Sequence, residues 1–221
     1  MSDARHSSAT GHTGPVRVTV LGPVAVLTAA GERLEPAGVR ARTLVAALAL
    51  AAPRPLTPTQ LIDEVWGDSP PGGAKAALQT LVSRLRAAVG DEVVESLPSG
   101  YRLGVEPDEI DLGAAELGLD RARAALDDGD DARAHALARD ALTLWSGEPG
   151  ADLGETAVAD ALRHRAAVAS HGLTVAQATA ALRLGRAHET EELAERLTVL
   201  APFDDSARLL LMQALDALGR P

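Results

Sequence analysis

Residues 74–90 read AKAALQTLVSRLRAAVG, with three basic side chains and no carboxylate in a chain of net charge -10. At 100° per residue, Ala74, Ala77, Leu78, Leu81, Val82, Leu85, Ala88 and Val89 share an arc about 140° wide. Lys75, Gln79, Thr80, Ser83 and Arg86 lie opposite, with Arg84 towards one edge. Lys and Arg can meet phosphates or guanine edges, Gln can pair with adenine, and Ser and Thr can bond either. An acid on that face would repel phosphate in every register. From Lys75 to Arg86 a helix runs about 16 Å, enough to cross one groove of duplex DNA. A plain solvated face fits the same residues, and both readings stand at this point.

Other chemistries find no support. The chain has no Cys, so disulfides and thiolate metal sites are excluded and a reducing compartment fits. His6, His12, His135, His164, His171 and His188 form no HExxH-type pair, and no metal site is expected. No GxxxxGK loop is present, and no cofactor is expected. Asp127–Asp131 (DDGDD) lacks the spacing of a calcium loop and reads as a helix–helix turn. Single aromatics do not make a base-stacking platform, so Trp66 and Trp145 are expected to be packed in two cores. No catalytic constellation is visible, and the chain is not expected to be an enzyme.

These side chains must be positioned by the elements around them. Val16–Gly22 and Pro23–Ala29 alternate as half-buried strands, and a short third strand is expected through Leu34. Val39–Ala52 is apolar on most sides and reads as a buried helix. Thr57, Pro58 and Gln60 form a capping-box start for a short helix ending at Trp66. Residues 67–73 are a loop, and residues 74–90 the third helix. Glu92–Ser96 and Tyr101–Val105 then read as strands joined by LPSG, a β-hairpin wing. At its tip Ser99, Gly100 and Arg102 can touch the DNA backbone, while Tyr101 is expected to pack inward. Short helix, loop, long helix and wing make a winged helix-turn-helix.

From about Asp108 only helix-period patterns remain, expected near 112–127, 131–145, 155–184, 188–200 and 204–218, with a break near Ser170–Gly172. LGR recurs at Leu184–Arg186 and Leu218–Arg220, 34 residues apart, the period of tetratricopeptide repeats. Pro202 falls where a repeat helix would end. The last helix lacks a following partner, so either the parent protein extends past Pro221 or that helix docks elsewhere. Charge divides the same way: residues 1–104 carry a net of +1 and residues 105–221 a net of -11. The acidic half is expected to act as a scaffold with dimer or regulatory contacts, the other reading being a concave groove for a protein or ligand. Its charge would also repel DNA and keep non-specific binding low.

LTPTQLIDEVWGDSPPGGAKAALQTLVSRLRAAVG, followed by LPSGYRLGV, resembles the OmpR/PhoB-type winged helix of the SARP, or AfsR-like, regulators of actinobacteria. The pieces that carry the likeness are DEVWG (63–67), Pro70–Pro71, LQTLVSRLR (78–86), GYRL (100–103) and VLGPVAV (20–26). ALTLWSGEP (141–149) and the stretch from Leu182 resemble the bacterial transcriptional activator domain that follows in that family. The resemblance covers residues 16–221. It departs at Gly72, Gly73 and Ala74, where the family is more basic, and at Ala115, where an aromatic is usual.

The resemblance implies a transcriptional activator whose third helix reads promoter repeats. It implies Lys75, Gln79, Thr80, Ser83, Arg84 and Arg86 as DNA contacts, and the loop Asp68, Ser69, Pro70, Pro71, Gly72 and Gly73 as the RNA polymerase contact. The expected layout is an α+β winged helix-turn-helix followed by an all-α tetratricopeptide-like domain. Residues 1–15 would be a disordered tail, 16–106 the DNA-binding domain, and 107–221 the helical domain. The partners are double-stranded promoter DNA, RNA polymerase, and a second copy on tandem repeats, in the cytoplasm with no membrane. The alternative is a helical adaptor whose winged domain binds protein.

Overall fold

The computed structural model describes residues 17–28, 31–201 and 203–220. The expected tail at 1–15, the strand limits at Val16 and Ala29, the break at Pro202 and the end at Pro221 lie outside these residues. The chain opens with three short antiparallel strands, β1 (Val18–Thr19), β2 (Ala25–Leu27) and β3 (Arg33–Leu34), in the order β1-β2-β3. Helices α1 (Val39–Ala51), α2 (Pro58–Trp66) and α3 (Ala74–Val89) pack mutually. The hairpin β4 (Val94–Leu97) and β5 (Gly100–Leu103) follows, turning through Pro98 and Ser99 with Leu97 opposite Gly100.

The start of α2 forms as its residues dictate. The Thr57 hydroxyl oxygen accepts from the Gln60 N–H, and the Gln60 side chain accepts from the Thr57 N–H. Pro58 at the first helical position gives up a donor that had no partner there anyway. The hairpin is stitched back to the strand-like segment before α2. Leu56 and Tyr101 exchange both backbone hydrogen bonds, at 2.8 and 2.9 Å. Gly100 permits this approach: it has a φ of +143°, and a Cβ there would lie 2.0 Å from the Leu56 carbonyl oxygen. Tyr101 is half-buried against the core, as expected.

The second half is a run of antiparallel helices, each packed on the next: α4 (Asp111–Asp127), α5 (Asp131–Leu142), α6 (Ala157–Arg183), α7 (Ala187–Leu200) and α8 (Asp205–Ala217). The architecture is thus the winged helix-turn-helix plus helical domain that the sequence predicts. Asp130, exposed in the DDGDD turn, caps α5. No helix among the described residues is long and apolar enough to cross a membrane.

Two local expectations fail for non-local reasons. α5 stops at Leu142, because the chain is drawn towards the N-terminal strands: the Ser146 N–H donates to the Leu21 carbonyl at 2.8 Å. α6 runs unbroken through Ser170–Gly172. Gly172 is there for close packing, since a Cβ would lie 2.8 Å from a Leu119 methyl of α4. α8 lacks a following helix and docks on α6 and α7, with Ala207, Leu210 and Ala214 buried. Leu209 and Met212 nonetheless stay exposed.

The two tryptophans do not mark two cores. One apolar cluster runs from Val18 to Ala176, and both Trp66 and Trp145 pack against it. A smaller cluster joins α6, α7 and α8 through Ala178, Leu193, Leu197 and Leu210. The large cluster ties the first half onto the second, and polar links reinforce it. The Arg17 N–H donates to the Glu109 carbonyl. Arg42 pairs with Asp152 at 3.1 Å, and Asp152 also accepts from the Val24 N–H. Arg165 of α6 pairs with Glu116 of α4 and donates to the Leu50 carbonyl at the end of α1.

Asp111 is the deepest of these links. Its carboxylate, 1% exposed, accepts from the N–H groups of Val20, Leu21 and Leu112 at 2.8–2.9 Å. Burial pushes its pKa up to about 6, against the downward pull of the three N–H donors.

Candidate nucleic-acid interface

α3 buries one face and exposes the other. Leu78, Val82, Leu85 and Val89 are each at most 4% exposed and pin the helix to the core. Lys75, Gln79, Thr80, Ser83 and Arg84 are exposed along the opposite side. Ala88, expected at the edge of the apolar arc, is exposed as well. Lys75 and Arg84 have no carboxylate partner among the described residues, so both charges are available to an anion. The Thr80 hydroxyl donates to the Ala76 carbonyl at 3.0 Å, leaving its oxygen free to accept.

Arg86 is where the structure departs from the sequence reading. Its side chain turns away from the exposed face and under the wing. The guanidinium donates from Nε and Nη2 to the Val94 carbonyl, and from Nη2 to Ser96 Oγ at 3.0 Å. A guanidinium held in this way cannot also present a fork to a guanine edge. Its place is that of a clamp between α3 and β4.

The wing is similarly altered. Ser99 is exposed at the tip, as expected. Arg102 does not project freely: its Nε donates to Glu95 Oε2 at 2.7 Å across the hairpin, and both side chains are about two-fifths exposed. The pair follows from register, because Glu95 lies directly opposite Arg102. Gly100 is buried, so it shapes the hairpin and offers no contact surface.

Loop residues Asp68, Ser69, Pro70, Pro71, Gly72 and Gly73, between α2 and α3, are all exposed. Gly67 (φ +53°) ends α2 and Gly73 (φ +82°) starts α3, both in conformations that L side chains rarely adopt.

One basic residue escaped the sequence reading. Arg40 lies exposed on α1, with its guanidinium 5.9 Å from the centre of the Trp66 ring. It lines a shallow cleft with Pro71, Thr80 and Arg84, joining the loop to the exposed face of α3. The stretch from Val39 reads as a buried helix, and only packing shows that its first turn is outside. Elsewhere, no group of three or more His, Asp or Glu among the described residues is placed to hold a metal ion.

Fold and exposed surfaces together define a class: a winged helix-turn-helix carried on a domain of paired helices. The family model described as bacterial transcriptional activator domain matches residues 110–221, just over half the chain, and the chain belongs to that family. A second model, described as transcriptional regulatory protein, C terminal, matches residues 36–103. Regulatory protein AfsR of Streptomyces griseus is 35% identical over 208 residues, covering 93% of this chain and 21% of that protein. The chain therefore spans about a fifth of the length of this relative. Regulatory protein DnrI of Streptomyces peucetius is 27% identical over 216 residues, covering 93% of this chain and 79% of its own. Among solved structures, Mycobacterium tuberculosis EmbR in complex with a low affinity phosphopeptide matches with a TM-score of 0.63 at 23% identity. It covers 92% of this chain and 65% of that one, and shows the shared fold.

Proposed function

We propose that this protein is a transcriptional activator of the SARP type that lays α3 in the major groove of promoter DNA. The observation that carries the reading is the exposed face of α3: Lys75, Gln79, Thr80, Ser83 and Arg84 stand together without a carboxylate, on a helix pinned by four buried residues. Lys75 and Arg84 meet phosphates, and Gln79 and Ser83 reach base edges. Arg40 adds a charge beside them. Ser99 touches the backbone from the wing tip. The exposed loop 68–73 faces RNA polymerase. Two copies sit side by side on tandem repeats, about one helical turn of 10–10.5 base pairs apart. Membership of the activator family, and the likeness to AfsR and DnrI, both regulatory proteins, support this reading over an enzyme.

Competition binding with specific and random duplexes at two salt concentrations tests it. Gln79→Ala should weaken specific binding by about 1–3 kcal/mol and relax discrimination at one base pair. Lys75→Ala should weaken both duplexes alike and lower the salt slope by about one. If neither variant changes binding to any duplex, while the loop or α3 face captures a protein partner, the adaptor reading replaces this one.

A further inference from the structure

Most arginines of the winged half are held inside the protein. Arg17, Arg33, Arg42 and Arg102 pair with Glu92, Glu35, Asp152 and Glu95, and Arg86 is bound by the Val94 carbonyl. Arg40 of α1 and Arg84 of α3 are exposed, and neither has a carboxylate partner among the described residues. Both line one cleft of about 380 Å³, together with Trp66, Pro71, Thr80 and Leu81. No carboxylate among the described residues lines it. Arg40 is aimed rather than loose. Its guanidinium lies over the Trp66 ring, 5.9 Å from the centroid, within the range of a cation–π contact. Trp66 is itself half-buried against the core, so the platform is fixed. Stacking uses the face of the guanidinium and leaves its N–H edge free.

The cleft has a set place relative to the face that meets DNA. At 100° per residue, Thr80 and Arg84 lie about 100° round α3 from Gln79 and Ser83. A helix about 10–12 Å across fills a major groove about 12 Å wide. With Gln79 and Ser83 turned to the base edges on the groove floor, the flank that carries Arg84 meets the groove wall. That wall is sugar-phosphate backbone. Arg40 reaches the same flank from α1, which packs on α3.

We propose that this cleft is a clamp for one backbone phosphate beside the groove that α3 reads, gripped by Arg40 from α1 and Arg84 from α3. The inference rests on the DNA-binding reading and adds to it a contact from outside the recognition helix. A phosphate oxygen between two guanidinium groups is met by charge-assisted hydrogen bonds. Stacking on Trp66 restricts Arg40 beforehand, so little freedom is lost on binding. An acidic protein segment would suit the same charges, but only a phosphate is brought to the cleft by the seating of α3 itself.

Binding of the full chain to the specific and random duplexes, followed against salt, tests it, because a phosphate contact acts on both alike. One neutralised phosphate contributes a salt slope of about -0.9, which is about eightfold in affinity at 0.1 M salt. The double variant Arg40→Gln, Arg84→Gln, changed only at exposed side chains, should lose about one in slope and about eightfold in affinity on either duplex. Each single variant should lose less, since the other arginine still meets the phosphate. A loss of about two in the double variant gives the arginines separate phosphates and overturns the clamp. So does an Arg40→Gln change that moves neither slope nor affinity in either background while Lys75→Ala still lowers the slope, a result that leaves the DNA-binding reading standing. If the unaltered chain binds neither duplex, both readings fall. An unchanged slope together with lost recruitment of RNA polymerase to a bound duplex overturns the clamp and assigns the cleft to an acidic protein segment.

Discussion

Arg86→Ala separates a clamp from a base reader. On α3 the guanidinium donates to the Val94 carbonyl at 2.8 Å from Nε and to Ser96 Oγ at 3.0 Å from Nη2. Val94 is fully buried, so its carbonyl loses a charged donor that nothing nearby replaces. Hydrogen bonds to a charged group are each worth about 1.5–3 kcal/mol. The Ser96 end is exposed and contributes little after screening. The variant should therefore lose about 2 kcal/mol of stability. Denaturation in guanidinium chloride should show a lower midpoint at unchanged slope. Arg86→Lys should recover only part of the loss, since an ammonium cannot reproduce the fork. Binding to specific and random duplexes, measured where the variant is folded, should fall by the same factor because the wing has shifted. A stability change below about 0.5 kcal/mol, together with a loss confined to the specific duplex, would refute the clamp and restore Arg86 as a base contact.

Three further outcomes follow from the fold. Asp111 has its pKa raised to about 6 in the folded chain, so between the ordinary carboxylate value and 6 the native state holds a proton that the unfolded chain releases. Its contribution to stability should therefore fall by up to about 3 kcal/mol from pH 4 to pH 7. The stability difference between the protein and Asp111→Asn, followed against pH, should show that fall, and a flat difference would contradict it. Gly100→Ala places a Cβ 2.0 Å from the Leu56 carbonyl oxygen at a φ of +143°. It should cost about 2–4 kcal/mol by thermal unfolding. Arg165→Met removes the pair with Glu116 and the bond to the Leu50 carbonyl. With both charged groups about one-third exposed, a loss of about 1–2 kcal/mol is expected. A double-mutant cycle with Glu116→Gln should give a coupling above about 0.5 kcal/mol.

Much of the architecture was legible because its causes are local. The capping box at Thr57 and Gln60 needs only residues three apart, and it starts α2 where expected. The amphipathic period of α3 needs only the helix itself, and it separates Leu78, Val82, Leu85 and Val89 from Lys75, Gln79 and Ser83. The run of helices after Asp111 follows from apolar spacing and from Gly and Asp at the turns. The absence of a carboxylate on the α3 face is likewise a property of the chain.

What local pattern could not reach is how charged groups choose among distant partners. Arg86 sits about 40° from Val82 around the helix, at the border of the polar arc. Whether it points outward depends on the Val94 carbonyl, which the wing brings beneath it. Arg102 meets Glu95 only through hairpin register. Arg40 is exposed because its turn of α1 lies outside the core. Gly172 is a contact with Leu119 of α4 rather than a helix break. Asp111 finds two of its three N–H donors about ninety residues away. By itself the sequence determined which elements form and which surface of α3 lacks acid, because backbone propensity and periodicity act over a few residues. The tertiary structure decided which of the basic side chains remain free, because a charge is neutralised by whatever the fold sets within about 4 Å of it.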